Sequence, residues 1–241
     1  MRISFQFDLS PAPSPYIDTG TFGESAWRTS SAIRTAVLRR DIDTCQFCGF
    51  RSVNYQTCVS IDGNPFDIDK AVTACTFCEQ ITRADLLPTQ RSGVLIWLPE
   101  VSQPELNRLM YTIYAARISQ GELATRAREL LDRILSRRTV AKERFGSDDP
   151  VVLVKRLHEE KRDGAPAEFS MQRATESGLR VMPLDRKIVR EGDLEFNQFP
   201  QMLAFWRSRN GPLHREALEA SNALEEFKRS KSLTAQALEG I

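Results

Sequence analysis

The sequence predicts an α+β protein: a cysteine-clamped core entered by an N-terminal strand and followed by a helical extension. Three observations predict it. Apolar and polar residues alternate over Met1–Ser10, two C-x-x-C pairs fall between Cys45 and Cys78, and apolar residues recur at helical spacing from Ser102 onward. The chain has 241 residues, 41% of them hydrophobic and 27% charged. A chain of that length buries roughly 70% of the surface its unfolded form exposes, so a core forms without covalent staples. Thirty-three Lys and Arg against 32 Asp and Glu leave a net charge of +1. That balance removes the usual electrostatic argument for a dedicated nucleic-acid or polyanion binder.

Ile3, Phe5, Phe7 and Leu9 share one side of an extended N-terminal segment, which predicts a strand. A Pro-, Ser- and Gly-rich loop follows from Ser10 to Glu24. Ser30 or Ser31 is placed to cap a helix that turns Ile33, Val37 and Leu38 inward. Strand-like residues run from Tyr55 to Ile61, with a turn at Asp62-Gly63-Asn64-Pro65. Gly93–Leu98 is a buried-strand candidate, and its apolar run is far below the ~20 residues a membrane helix needs. The N-terminus carries no apolar signal core, so the expectation is a cytoplasmic protein without direct membrane insertion.

Ser102-Gln-Pro-Glu105 is a capping-box pattern opening a helix with Leu106, Leu109, Met110, Ile113 and Tyr114 on one face. A second helix is expected from Gly121 to Phe145, ended by Gly146, and a third from Asp148-Asp149-Pro150, with Val154 and Leu157 inward. Gly178–Pro183 reads as a short strand or extended arm, and Phe196–Trp206 as an apolar helix broken by Gly211-Pro212. A final amphipathic helix is expected over Leu213–Phe227, with Arg229–Ile241 loosely held.

Cys45-Gln-Phe-Cys48-Gly49 and Cys75-Thr-Phe-Cys78 are separated by 26 residues. Each pair sets two thiols at the spacing that chelates one tetrahedral ion, and two such pairs in a cytoplasmic chain point to one structural Zn²⁺ held by Cys45, Cys48, Cys75 and Cys78. Four thiolates fill the coordination shell, whereas a catalytic zinc keeps a position open. Gly49 supplies the positive φ that a tight knuckle needs. The second pair is expected to open a helix that also carries Ile81. Arg39, Arg40, Arg51 and Arg83 are close enough in sequence to offset the net negative charge of the site. Cys58 reads as a small buried hydrophobe.

Leu38-Arg-Arg-Asp41, the Cys45–Gly49 knuckle, Asp62-Gly-Asn64 and Ala71-Val-Thr-Ala-Cys75 resemble the layout of HNH-type zinc-supported ββα proteins. Where an HNH nuclease would carry its histidines this chain has Val59 and Ser60, and Glu79 follows the last cysteine. No imidazole stands there to take a proton from water or to help hold a catalytic metal, so the resemblance implies a degenerate HNH-like fold and no catalytic residue. More specifically, Cys45–Phe50, Tyr55-Gln56, Val72–Cys78, Leu95–Glu100 and Gln103–Asn107 resemble the IcmJ/DotN family. That resemblance implies an HNH-like zinc subunit of the type IVB (Dot/Icm) secretion coupling complex. The expected role is that of an adaptor gripping the cytoplasmic tail of the coupling ATPase, recruited peripherally to the inner membrane of a bacterium. A related conjugation machine is an equal setting. The resemblance marks no partner-binding residue.

The expected organisation is an HNH-like four-cysteine zinc domain with its N-terminal strand over 1–100, a helical extension packed on it over 101–210, and a C-terminal helix with a loose tail over 211–241. Arg126, Arg133, Arg137 and Arg144 fall on one side of the second helix; they read either as a solvated face or as a docking rail for an acidic tail or phosphates. Trp97, Phe199, Phe205 and Trp206 read as core. His158 and His214 lie far apart in sequence with no nucleophile signature beside either, which argues against a triad. The alternatives to the adaptor are an HNH endonuclease with a displaced centre near Asp62, Asn64 or Asp67, and a non-catalytic DNA-binding zinc module.

Overall fold

A computed structural model describes residues 31–61, 67–163 and 171–220. The expected N-terminal strand, the turn at 62–65 and the tail beyond 220 lie outside the described residues. Helix α1 (Ser31–Arg40) buries Val37, while Ile33 and Leu38 are half-buried. The cysteine knuckle follows, then strands β1 (Gln56–Ser60) and β2 (Ala71–Cys75), which pair antiparallel, Val59 facing Val72. Helix α2 (Thr76–Thr82) continues directly from Cys75, giving a ββα order. A short helix α3 (Leu86–Gln90) leads into β3 (Gly93–Trp97).

Strand β3 does not pair with β1 or β2. Its partner is β4 (Leu179–Pro183), antiparallel, with Leu95 opposite Val181. All five residues of each strand are buried because both faces are covered. Val94, Ile96, Leu98 and Met182 enter a core with the cysteines and helix α4 (Gln103–Arg117); Leu95, Trp97, Leu179 and Val181 enter a second one with Phe145, Leu153 and Leu157. A strand buried on both faces loses the apolar–polar alternation of a half-buried one, which is why Gly93–Leu98 reads as a continuous apolar run.

The expected helix 121–145 is two helices, α5 (Glu122–Ser136) and α6 (Arg138–Phe145), and Gly146 ends the second at φ 86° as anticipated. Arg137 is the break. Its carbonyl accepts the Trp97 N–H (3.3 Å), and its guanidinium, 4% exposed, meets Glu100 at 2.8 Å. The chain turns inward there to serve β3, and the expected arginine row is broken. Arg126 is tied to Glu122 and Glu129, Arg137 is internal, and Arg144 sits 5.4 Å above the Trp97 ring.

Helix α7 (Pro150–Asp163) buries Leu153 and Leu157, with Val154 half-buried. After α8 (Met171–Ser177) and β4, a hairpin of β5 (Ile188–Glu191) and β6 (Leu194–Asn197) takes the start of the expected helix 196–206. Asn197 explains the correction: its side-chain oxygen accepts the Lys187 and Phe199 N–H groups (2.9 and 3.1 Å), ending the hairpin and opening α9 (Phe199–Arg207). Phe199 and Trp206 are core and Trp97 is buried, whereas Phe205 is only half-buried against the core. Of the last predicted helix, α10 (Arg215–Ala220) is described, and Leu218 is buried. Among the described residues no helix is long and apolar enough to cross a membrane.

Two expectations follow. Gly178 sits at φ 127° with its carbonyl bonded to the Leu98 N–H, and a Cβ there would fall 2.8–2.9 Å from Pro99. Gly178→Ala should destabilise the protein by at least about 2 kcal/mol, read as a lowered urea midpoint. At the start of α4, the Ser102 hydroxyl and backbone N–H donate to Glu105 and hold its carboxyl below the ordinary value of 4.5. The unfolded chain binds that proton more readily. The contribution is therefore fully present above about pH 4.5 and is lost as pH falls through the folded value. Thermal melts of Glu105→Gln should show a shallower acid decline than the parent.

Candidate metal centre

The four cysteines converge from two local structures. The knuckle is pinned at both ends: the Cys45 N–H donates to Phe50 O (3.0 Å), the Gly49 N–H to Cys45 O (2.9 Å), and the Gln46 N–H to Thr73 O on β2 (2.9 Å). Gly49 adopts φ 79°, the left-handed conformation expected of it. Cys75 ends β2 and is the residue before α2, so Cys78 lies one turn away on the same face. The ligand atoms of Cys45, Cys48, Cys75 and Cys78 all lie within 4.8 Å of one another, and none of the four residues is more than 3% exposed. Cys48 Sγ and Cys75 Sγ are 3.5 Å apart. Sulfurs ~2.3 Å from a common tetrahedral centre stand about 3.8 Å apart, so the donor set matches one ion in both chemistry and size. Cys58 is outside the cluster and half-buried on β1, not the buried hydrophobe expected.

The electrostatics point the same way. Burial pushes the Cys75 and Cys78 thiols up. Hydrogen bonds from Cys48, Cys75 and Cys78 pull the Cys45 thiol down. Each further thiolate would face the first at contact distance in a dry site, so four ionise together only around a cation. Burial and the neighbouring sulfurs likewise push the Tyr111 phenol up, keeping its proton on.

Of the four arginines expected to offset this charge, Arg40 is engaged by Asp41 and the Ile68 and Ala71 carbonyls, and Arg83 by Glu79; Arg39 and Arg51 are exposed. A neutral amide reaches one of the sulfurs: Asn107 Nδ2 donates to Cys78 Sγ at 3.2 Å. Asn107 is 0% exposed and is oriented by Gln103, which donates to its Oδ1 (2.9 Å). Gln103 also donates to Val181 O (2.7 Å) and accepts the Val181 N–H (2.9 Å), so a continuous chain of bonds joins β4 to the sulfurs. Below it, Tyr111 stacks on Phe77 (4.2 Å) and on the knuckle's Phe50 (3.8 Å). Sequence reasoning gave none of Gln103, Asn107, Tyr111 and Phe50 a role at the cysteines, although Phe50, Gln103 and Asn107 fall in the segments that carry the family resemblance. The available signal was the i, i+4, i+8 spacing of Gln103, Asn107 and Tyr111 beside the apolar stripe of α4. His158 and His214 take no part in the cluster.

No protein-family model matches the chain. The chain is similar to the type 4 apparatus protein DotN of Legionella pneumophila, with 33% identity over 122 residues. The match covers 48% of this chain and 57% of DotN, so it spans less than two thirds of that relative's length. This similarity supports the IcmJ/DotN family.

The outer hydrogen bond carries an expectation of its own. Asn107→Leu should release metal about 10–100-fold faster to a chromophoric chelator, with the folded circular-dichroism spectrum retained while metal is bound. Cobalt substitution should show a shifted thiolate charge-transfer band, because the Cys78 sulfur would lose its donor.

Proposed function

We propose that this chain is a zinc-stabilised, catalytically inactive adaptor subunit of a type IVB-like secretion coupling complex, or of a related conjugation machine, that binds the cytoplasmic tail of the coupling ATPase and contacts other subunits of the complex. The observation that carries this reading is the similarity to DotN, a type 4 apparatus protein. The metal is Zn²⁺: a buried tetrahedral set of four thiolates suits zinc, leaves no open position for substrate, and makes the ion's binding energy part of folding. Cys45, Cys48, Cys75 and Cys78 hold it. The first hundred residues form the HNH-like unit, residues 101–210 the extension and 211–241 the terminal segment. The protein works in the cytoplasm and reaches the inner membrane through its complex, without insertion and without a nucleic-acid substrate.

Three features support the degenerate HNH-like, non-catalytic reading. The β1–β2–α2 order and the second cysteine pair at the β2–α2 junction fit a degenerate HNH-like unit. Val59, at the position expected of a nuclease histidine, is 6% exposed and faces Val72 in the core. Glu79, after the last cysteine, is paired with Arg83. Of the residues that a displaced nuclease centre would need, Asp67 uses its carboxylate to accept the Asp69 N–H (2.9 Å), and Asp62 and Asn64 lie outside the described residues.

Co-purification from the native host with mass spectrometry should recover an ATPase carrying a long cytoplasmic tail, and metal analysis should find one zinc per chain. Cys45→Ser and Cys78→Ser should each lower solubility and abolish partner capture together. A metal-free double variant that folds and still captures its partner would contradict the metal assignment. Plasmid cleavage with Mg²⁺ or Mn²⁺ that is lost on Asp62→Ala would replace the adaptor with a nuclease.

A further inference from the structure

Apolar and cationic side chains are left open to water in one continuous strip beside the metal centre. Helix α1 contains Arg34, Arg39 and Arg40 and no acidic residue. One of its faces, bearing Ser31, Ala32, Thr35, Ala36, Arg39 and Arg40, is exposed and forms a shallow, wide-open groove. The Ile42 N–H donates to Arg39 O (3.2 Å), so the chain passes directly from the groove's end to Ile42. From there the Ser52 N–H bonds Asp43 O (3.0 Å) and Thr44 bridges to Arg51, which sets Arg51 and Val53 beside the Ile42 segment. Ile42 is 60% exposed and Val53 63% exposed. Arg39 and Arg51 are exposed, and neither meets a carboxylate among the described residues.

Backbone geometry makes Ile42 harder to dismiss as an incidental surface residue. It adopts φ 53° and Asp43 φ 51°, two consecutive non-glycine residues in the left-handed region. A turn of that shape is met at less cost by Gly or Asn, and a β-branched residue there is a conformational outlier. The turn explains the conformation, since it aims Asp43 O at Ser52 and Gln56. It does not explain an isoleucine whose side chain points into water. Of the acidic groups on the strip, Asp41 is tied to Arg40 and the Thr73 N–H, and Asp43 is half-buried.

We propose that this strip, from the α1 groove across Ile42 to Arg51 and Val53, is the docking surface for an extended acidic peptide segment carrying spaced aliphatic side chains. The proposal deepens the adaptor reading above, on which it rests, by naming the surface and the chemistry of the chain it takes. Charge complementarity selects the occupant. Arg39 and Arg51 stand at the two ends of the apolar pair and take carboxylates, while Ile42 and Val53 take the aliphatic contacts. The groove and turn together span about six to eight extended residues. A nucleic acid fits less well: the exposed apolar residues between the arginines are aliphatic, so bases would find no stacking platform.

The test uses the full-length, metal-loaded chain and three labelled probes of equal length: a glutamate-rich peptide with spaced leucines, its lysine-rich counterpart, and oligothymidylate. The acidic peptide should bind best. Its affinity should fall roughly tenfold in Arg39→Glu/Arg51→Glu and also in Ile42→Ser/Val53→Ser, with zinc content and thermal midpoint unchanged in both. Equal binding of the lysine peptide, or an affinity that neither pair of substitutions moves, would overturn the proposal. So would oligothymidylate binding as tightly and responding to the arginines alone, which would make the strip a phosphate contact. Photocrosslinking from Val53→p-benzoylphenylalanine in the isolated chain into residues 1–30 would assign the strip to the chain's own N-terminal segment and overturn it as well. If the charge-reversed variant still co-purifies with the secretion complex, this surface is refuted while the subunit reading stands; if the parent recovers no such complex, the subunit reading is what fails.

Discussion

Four sulfur atoms within 4.8 Å of one another, in residues at most 3% exposed, set the constraint on which the first half of the described fold depends. As thiols they pack as small apolar groups. As thiolates they repel one another in a medium that screens poorly. A cation bound among them would convert that repulsion into an interaction that closes the knuckle against the β2–α2 junction. The consequences spread because the cluster is not isolated. Phe50, carried by the knuckle, stacks on Tyr111, and Tyr111 and Phe77 both meet the Trp206 ring edge-on. Loosening the knuckle therefore loosens the packing of α4 and α9 as well.

A second constraint acts on the small sheet of β3 and β4. Two strands alone are marginal in water, and their free edges invite further pairing. Here both edges are consumed from within. On β3, the Leu95 N–H donates to Asp148 O and the Trp97 N–H to Arg137 O. On β4, Gln103 takes both backbone groups of Val181 and so stands in for a third strand. Arg180 bonds the Val101 and Thr175 carbonyls. Burial pulls its guanidinium down from the ordinary value, against Glu100 and Glu105. These buried polar contacts fix one arrangement of the sheet, since sliding by a residue would strand each of them without a partner.

The sequence was most legible where one local rule acts without competition. The two C-x-x-C spacings, Gly49, the capping box at Ser102 and the stop at Gly146 each reflect such a rule, and the structure places them accordingly. Legibility failed where a distant segment overrides a local signal. Nothing within residues 121–145 breaks a helix at Arg137; β3 and Glu100 do so from outside. Phe196 continues an apolar helical pattern, yet Asn197 spends its side chain on two backbone donors and ends a hairpin instead. The role of Asn107 and Gln103 at the cysteines was not legible because a buried amide on an apolar stripe looks like a tolerated irregularity until its partners, a sulfur and a strand edge, are known.

Strand β2 is buried along its whole length, whereas the chain before β1 carries exposed apolar residues. Val59, Val72 and Ala74 belong to the core. A histidine in place of Val59 would put a polar ring into an apolar layer, at a cost of a few kcal/mol if it found no hydrogen-bond partner there. In the segment before β1, Ile42 and Val53 are open to solvent, as are Arg39 and Arg51. The backbone bonds that order the knuckle, from the Ser52 N–H to Asp43 O and from the Gln46 N–H to Thr73 O, therefore hold the exposed pair in register with the buried strand.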